Sequence, residues 1–316
     1  MRHSLKLFIL FLVLSTGLAR AETATISTTT SGTVIYHYGL AIAKVAAQLT
    51  SLDLRLKPFK STAQGAVFVN RGEVDFGLHN AIILREAYNG LQFYKGRPLK
   101  NLRAVARLAP LQVTLAVPGD SDIHTIEDMR GKRFPSGFDS TAFAERLYDA
   151  LLGTGGLSYN DVKKVKVSDW AALGKAFIGG QLDVGGLVVG SATSAKYAKL
   201  VKGYRGISLS TGPGVEKRLK AIFPTSRLTT VYPAKGLAGI VKPTVMLEFD
   251  YWLFANKDTP DSEVTALLKS LHEGKDVLTS ISKDFRKFDP NAMNPDIGVP
   301  FHPAAKAFYA SIKTMK

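Results

Sequence analysis

The sequence predicts an α/β protein of two domains between which the chain crosses twice, and three observations carry that prediction. From Glu22 to Val117 short β-prone apolar runs alternate with helical periodicity, the pattern of a mostly parallel sheet covered by helices. The alternation restarts at Pro118. Thr244 to Phe254 is then a long β-branched and aromatic run followed by two helical stretches, without a full set of strands of its own, so it must pack on a sheet made elsewhere. The expected division is residues 22–117 plus 245–316 for domain I and 118–244 for domain II, with crossings near Val117 and Val245.

In chain order, the strand candidates of domain I are Thr25 to Thr28, Leu54 to Pro58, Asp75 to His79, and Leu102 to Val117 with a break at Pro110; its helix candidates are Tyr38 to Leu49, Ala63 to Asn70 and Ala81 to Tyr88. In domain II a short helix over Thr125 to Met129 stops at Gly131. A strand then ends in the loop Pro135 to Ser140, and a helix from Thr141 to Leu152 closes at Gly153. Val165 to Val167 and Asp183 to Val189 read as strands around a helix from Trp170 to Phe177 ended by Gly179-Gly180. Ile207 to Ser210 and Thr229 to Val231 are further strands, and Val215 to Ala221 is helical. Beyond the returning run, helices are expected over Asp261 to Leu278, with Asp261 or Ser262 as N-cap, and over Pro303 to Ile312.

Residues 1–21 carry the marks of a secretory signal peptide: Arg2 and Lys6, an unbroken apolar run from Leu7 to Leu14, and Ala19-Arg20-Ala21 as a cleavage site. This predicts a periplasmic protein cleaved near Ala21. Its apolar run is short of the about 20 residues a membrane span requires. The chain has no cysteine, which removes disulfides, a thiolate nucleophile, cysteine metal sites and a lipoprotein anchor. The formal net charge is +15, but the basic residues are scattered without a run of five or six and without interleaved aromatics. A solvated surface that concentrates anionic ligands fits that distribution better than a nucleic-acid interface.

The loop Ser31-Gly32-Thr33 leads from a strand into a helix. Unpaired N–H groups at the helix start and hydroxyls beside them can hold an anion, and the same residues can be an ordinary N-cap turn. Enzyme signatures are missing: there is no Gly-x-Ser-x-Gly elbow, P-loop or dinucleotide fingerprint, and Gly153-Thr154-Gly155-Gly156 follows a helix where such motifs require a preceding strand. Asp75, Asp139, Asp183 and Asp250 could meet as a hydrolytic pair only through folding. No paired HxH or HxxxH suggests zinc. No cofactor, no metal and no enzymatic activity are expected.

Several segments, in order, resemble the TAXI-type solute receptors of tripartite ATP-independent periplasmic (TRAP) transporters. They are Gly32, Ile35-Tyr36-His37 and Gly39 to Ala43; Ala63-Gln64-Gly65; Arg71 to Gly77; Ala87 to Gly90; Ile126 to Arg133; Asp161-Val162 after Gly156 to Tyr159; and Ile297 to Tyr309. The chain departs from that family at Gly137 to Thr141, where a Gly-Ser-Gly-Thr turn is usual, at His79-Asn80, and in having hydroxyls for glycines in the first loop. The resemblance implies a periplasmic binding protein-like clamshell of type II that captures a small organic acid (a dicarboxylate, glutamate or a 2-oxo acid) and delivers it, as a monomer, to a TRAP membrane permease. A periplasmic ligand-sensing protein or an ABC-type binding component is the alternative.

The candidate ligand-binding residues are Ser31, Gly32, Thr33 and Tyr36 in the first loop, Gln64 and Gly65 at the second helix, and His79 and Asn80 after the third strand. In domain II they are Ser136, Gly137, Asp139, Ser140 and Thr141, with Gly190 and Ser191 near the middle. Gln64-Gly65 and Ser140-Thr141 can equally be helix starts. His79 can be a ligand donor or a packed core histidine. Tyr36, Tyr38, Phe138, Tyr251 and Trp252 are candidates for an apolar wall or hinge.

Overall fold

In the computed structural model the described residues are 23–31, 33–139 and 142–314. The expected leader lies outside the described residues, as do Gly32, Ser140 and Thr141 of the candidate loops.

The first region reads β1 (Thr23–Thr29), α1 (Val34–Leu49), β2 (Asp53–Phe59), α2 (Thr62–Asn70), β3 (Phe76–Asn80), α3 (Ala81–Asn89) and β4 (Leu102–Val117). The second contains β5 (Arg133–Gly137), α4 (Ala142–Gly153), β6 (Lys163–Val167), α5 (Trp170–Ile178), β7 (Gly185–Val188), α6 (Ala192–Leu200), β8 (Arg205–Gly206), α7 (Val215–Ile222) and β9 (Arg227–Val231). The chain then returns through β10 (Thr244–Asn256) to α8 (Asp261–Glu273), α9 (Lys275–Ile281) and α10 (Pro303–Thr314).

An eight-stranded sheet runs β2-β1-β3-β10-β4-β7, with β8 added on β4 and β9 on β10, while β5 and β6 form a separate parallel pair. Only β1 to β3 and β5 with β6 are parallel; β4, β7, β8, β9 and β10 pair antiparallel. The antiparallel centre follows from the return of the chain. β4 leaves the first region and β10 comes back alongside it, Leu247 facing Val113 and Asn256 facing Leu102.

The apolar interior divides along these two strands. Val105, Ala106, Leu108 and Ala109 of β4 and Leu253 and Ala255 of β10 pack with Ile26, Ile42, Val45, Leu267 and Leu271 on one face, where α1 and α8 lie. On the opposite face Trp252 and Phe254 pack with Ala66, Val69, Ala81 and Leu84 of α2 and α3. Val113, Leu115, Ala116 and Val117 and Met246, Leu247 and Phe249 belong instead to the core of the second region. Each apolar side chain so buried contributes about 1.5–3 kcal/mol, which explains why the alternating pattern of β1 and the helical spacing of Ile35, Tyr38, Ile42 and Val45 were readable. Gly77 lets β3 lie against β10: the ring of Phe254 occupies the space a Cβ would need.

Some expectations are corrected. β4 passes through Pro110 unbroken, because Pro110 faces Asp250 where the ladder already shifts register and a missing N–H costs little. The expected helix from Asp261 to Leu278 is two helices parted at Gly274, where a side chain would press on Val45 and Leu49 of α1. Its N-cap is Pro260, without a side-chain hydrogen bond, and Asp261 lies in the first turn. The strand expected over Ile207 to Ser210 is the two-residue β8 just before it. The helix expected at Thr125 to Met129 is a single 3-10 turn, Glu127–Met129.

Candidate functional site

The ends of the strands set where the loops meet. Asn80, the last residue of β3, faces Tyr251 of β10. β7 ends at Val188, facing Val113 of β4, and the N–H of Val189 donates to the carbonyl of Gln112 at 3.0 Å. Gln112 in turn faces Glu248. The carboxyl ends of β3 and β7 therefore flank one short stretch of β10, residues 248–251, with three strand spacings, about 14 Å, between them across the sheet. Asp183, just before β7, accepts from the backbone N–H of Arg133 at 2.7 Å and from its guanidinium at 2.5 Å. β5 and β7 thus start together, so Gly137 emerges at the same edge as Gly190.

Five helices that follow strands here start with a side-chain cap among the described residues. Thr33 Oγ1 accepts from the Tyr36 N–H at 3.2 Å, donates to the Thr30 carbonyl at 2.9 Å and is 2.5 Å from Thr29 Oγ1. Its bonding capacity is committed to the start of α1, the ordinary-turn alternative. For α2 the cap is Ser61, whose Oγ accepts from the Gln64 N–H at 3.2 Å. The Gln64 side chain is exposed, and Gly65 is buried where an added Cβ would lie 2.8 Å from Ser27 Oγ. Asn80 Oδ1 caps α3 through the Ile83 N–H at 2.9 Å, Asp169 caps α5 through Ala171 and Ala172, and Ser191 Oγ caps α6 through Ser194 at 3.1 Å. Each of these five helices follows a strand, so its partial positive end lies beyond that strand's carboxyl end, an arrangement that favours an anion.

Ser31 is exposed, and Tyr36 is half-buried with its ring edge-on to His37. Ser136 is buried within β5 beside Lys166. Gly137 has φ +94° and its N–H donates to Glu145 at 2.7 Å, while Asp139 is exposed and pairs with Lys166 at 3.2 Å. Gly190 turns at φ +76° into the cap at Ser191. His79 is buried. Its Nδ1 accepts from the Asn80 N–H at 3.0 Å, its Nε2 has no partner, and burial lowers its pKa to about 3, so the ring is neutral with the proton on Nε2.

The four separated aspartates do not converge. Asp75 bonds Thr25, Asp139 pairs with Lys166, Asp183 with Arg133 and Asp250 with Arg227. Of the aromatics, Tyr38, Phe138 and Trp252 are core residues, and Tyr38 stacks on Phe285 and meets Tyr251 edge-on. Two concavities, about 290 Å³ beside Phe301, Lys306 and Tyr309 and about 140 Å³ beside Leu157, Arg218 and Ile222, contain none of the candidate residues.

Two charged clusters join residues that, apart from Asp250, the sequence does not mark. At the middle of the crossing strands Arg227 pairs with both Glu248 and Asp250, Gln112 donates to Glu248, and Lys287 donates to Gln112. Burial pushes the Lys287 ammonium below its ordinary value. Between α3 and α4, Glu86 and Arg146 form a two-point pair at 2.6 and 3.1 Å, and the Arg146 guanidinium lies 5.4 Å from the centre of the Phe223 ring. Both groups join residues distant in sequence, so no local motif announces them.

A sheet shared by two α/β regions, connected by two long strands and with helix starts gathered at the crossing, is the architecture of the two-domain periplasmic binding proteins. The chain belongs to the NMT1-like family, which it matches over residues 26–311. Among solved structures it is similar to a TctC solute-binding protein from Polaromonas (15% identity over 95% of this chain and 96% of that one, TM-score 0.55). It is also similar to the alkanesulfonate-binding protein SsuA from Xanthomonas axonopodis pv. citri bound to MOPS (17%, 94% and 93%, TM-score 0.50). The periplasmic aliphatic sulphonate-binding protein SsuA from Escherichia coli is a third such structure (14%, 93% and 91%, TM-score 0.50). At these identities the likeness is one of fold.

Proposed function

We propose that the chain is a periplasmic solute receptor that takes a small organic acid between its two lobes and delivers it to a membrane permease of the TRAP type. The observation that supports this reading is that the carboxyl ends of β3 and β7, which lead into the capped starts of α3 and α6, flank residues 248–251 of β10 where the two cores part. Ser31 to Tyr36, His79-Asn80, Gly137 to Thr141 and Gly190-Ser191 are the loops that meet the solute; Gly65 packs α2 on β1. The lobes divide in the middle of β4 and β10, near Pro110 and Asp250, where the apolar cores part. An acid that touches both lobes shifts the protein toward closure by its differential affinity for the closed form, and closure is what the permease reads. The surplus positive charge raises the local concentration of anionic solutes.

The test is native mass spectrometry of the protein released from the periplasm after expression with its leader. A processed monomer carrying a carboxylic acid is expected. A neutral solute, or an empty protein that also gives no heat of binding with C4 dicarboxylates, glutamate or 2-oxo acids, overturns the reading. A TRAP permease gene beside this one supports the named partner, and a neighbouring transport ATPase gene replaces it with an ABC permease.

A further inference from the structure

Three buried nitrogens without partners stand in one row of the sheet. His79 of β3 faces Trp252 of β10, and Trp252 faces Arg107 of β4 on its other side. Residues directly opposite on neighbouring strands project to the same face, with Cβ atoms about 5 Å apart. His79 Nε2, Trp252 Nε1 and Arg107 Nε are each buried without a hydrogen-bond partner. All three can only donate: an indole N–H and a guanidinium N–H have no lone pair to offer, and the histidine has given its Nδ1 lone pair to the Asn80 N–H. Three donors in one row of the sheet cannot satisfy one another, and leaving them unpaired is costly, so the row is complementary to an acceptor with several lone pairs.

Charge narrows the choice. Among the described residues no carboxylate lies in salt-bridge range of Arg107, whereas the buried acids nearby are occupied, Asp250 and Glu248 by Arg227 and Glu86 by Arg146. One end of the row adjoins a candidate loop, and the row itself lies in the core beneath α2 and α3. His79 immediately precedes the cap of α3, and Arg107 stands three residues before Pro110 at the crossing. Trp252 and His79 are buried and Arg107 is half-buried, so the row opens at its charged end.

We infer that Arg107, Trp252 and His79 anchor the anionic group of the solute, an oxyanion of carboxylate type, with Arg107 supplying the charge and the two rings supplying fixed neutral donors. This rests on the receptor reading and adds the residues that select a negative group. On this inference His79 serves in both of its alternative roles: the ring is held in the core by Asn80 and offers its other nitrogen to the ligand. A neutral solute, or one whose only polar group is a donor, is rejected because the row is left unpaired.

The test uses the mature chain labelled with nitrogen-15, with Trp170→Phe to assign the two indole resonances. Succinate, glutamate and 2-oxoglutarate are added in turn, with sodium chloride at equal ionic strength as control. The expected result is a shift of the Trp252 indole N–H resonance with the acid that binds and none with chloride. Arg107→Met, which keeps an unbranched apolar stem to about the position of Nε and removes the charge and the donors, weakens that acid roughly 10- to 100-fold. Binding of an acid with the Trp252 resonance unmoved and Arg107→Met within twofold of wild type overturns the anchor and leaves the receptor standing. Failure of the wild type to bind any of the three acids counts against the receptor itself and removes the inference with it. Should Arg107→Met not fold, the indole shift in the unmutated site decides.

Discussion

Breaking the Glu86–Arg146 pair should loosen the two lobes from each other more than it unfolds either. Glu86 lies on α3, and its neighbour Ile82 packs into the core of the other lobe; Arg146 lies on α4 in that lobe. The side chains are 10% and 25% exposed, so removing one partner strands a largely buried charge. A fully buried orphan charge costs about 3–5 kcal/mol, and partial exposure of Arg146 brings the expected cost of Arg146→Met to about 2–3 kcal/mol. Loss of the contact with the Phe223 ring adds about 0.5–1 kcal/mol. Opening the lobes rehydrates Glu86, so part of that cost should appear as a larger radius of gyration in small-angle X-ray scattering, with each lobe still folded by circular dichroism. Arg146→Met, Glu86→Gln and the double variant complete a cycle in urea, with an expected coupling of about 1–3 kcal/mol. An unchanged radius of gyration together with a coupling below about 0.5 kcal/mol would refute the idea that this pair holds the lobes.

Gly77→Ala should destabilise the protein by about 1–3 kcal/mol in urea, because the added methyl must displace the Phe254 ring; a neutral substitution would mean that β10 can shift at no cost. Thr33→Ala removes the cap of α1 and is expected to lower stability by about 1 kcal/mol, read from the urea midpoint, since its hydroxyl is committed within the protein. His79, lowered to about 3 by burial, is neutral when folded but takes up a proton near pH 6.5 when unfolded. Its contribution is therefore complete above pH 6.5 and is lost as pH falls, by about 2 kcal/mol at pH 5. His302, also lowered by burial, acts in the same sense, and Asp284, raised by burial, in the opposite one. Urea titrations at pH 7 and pH 5 should show the loss, and His79→Leu should flatten the slope.

The fold was legible wherever periodicity and burial coincide. β1 to β3 and α1 to α3 were found within a few residues, because alternation and helical spacing record which face meets the core. α6 is not legible in the sequence because it buries only Ser194 and Tyr197 and so has no apolar stripe. The break at Gly274 and the continuity of β4 through Pro110 depend on neighbours supplied by α1 and β10. The candidate loops were legible as strand ends with small polar residues, and that rule also describes helix caps, which is what Thr33, Asn80 and Ser191 are. The row of His79, Trp252 and Arg107 could not be read at all. It is fixed by the register of three strands that are far apart in sequence, and in the sequence Arg107 is one more scattered basic residue.

The continuity of β4 and β10 through both lobes sets how the protein can move. A linker of loose residues would swivel, with many orientations of nearly equal energy. Two paired strands can only bend and twist as one ribbon, most easily beside the register shift at Asp250. Bringing the lobes together must then work against an elastic restoring force. On the receptor reading proposed above, the bound solute would hold that force in check, and release to a membrane partner would draw on energy stored at capture.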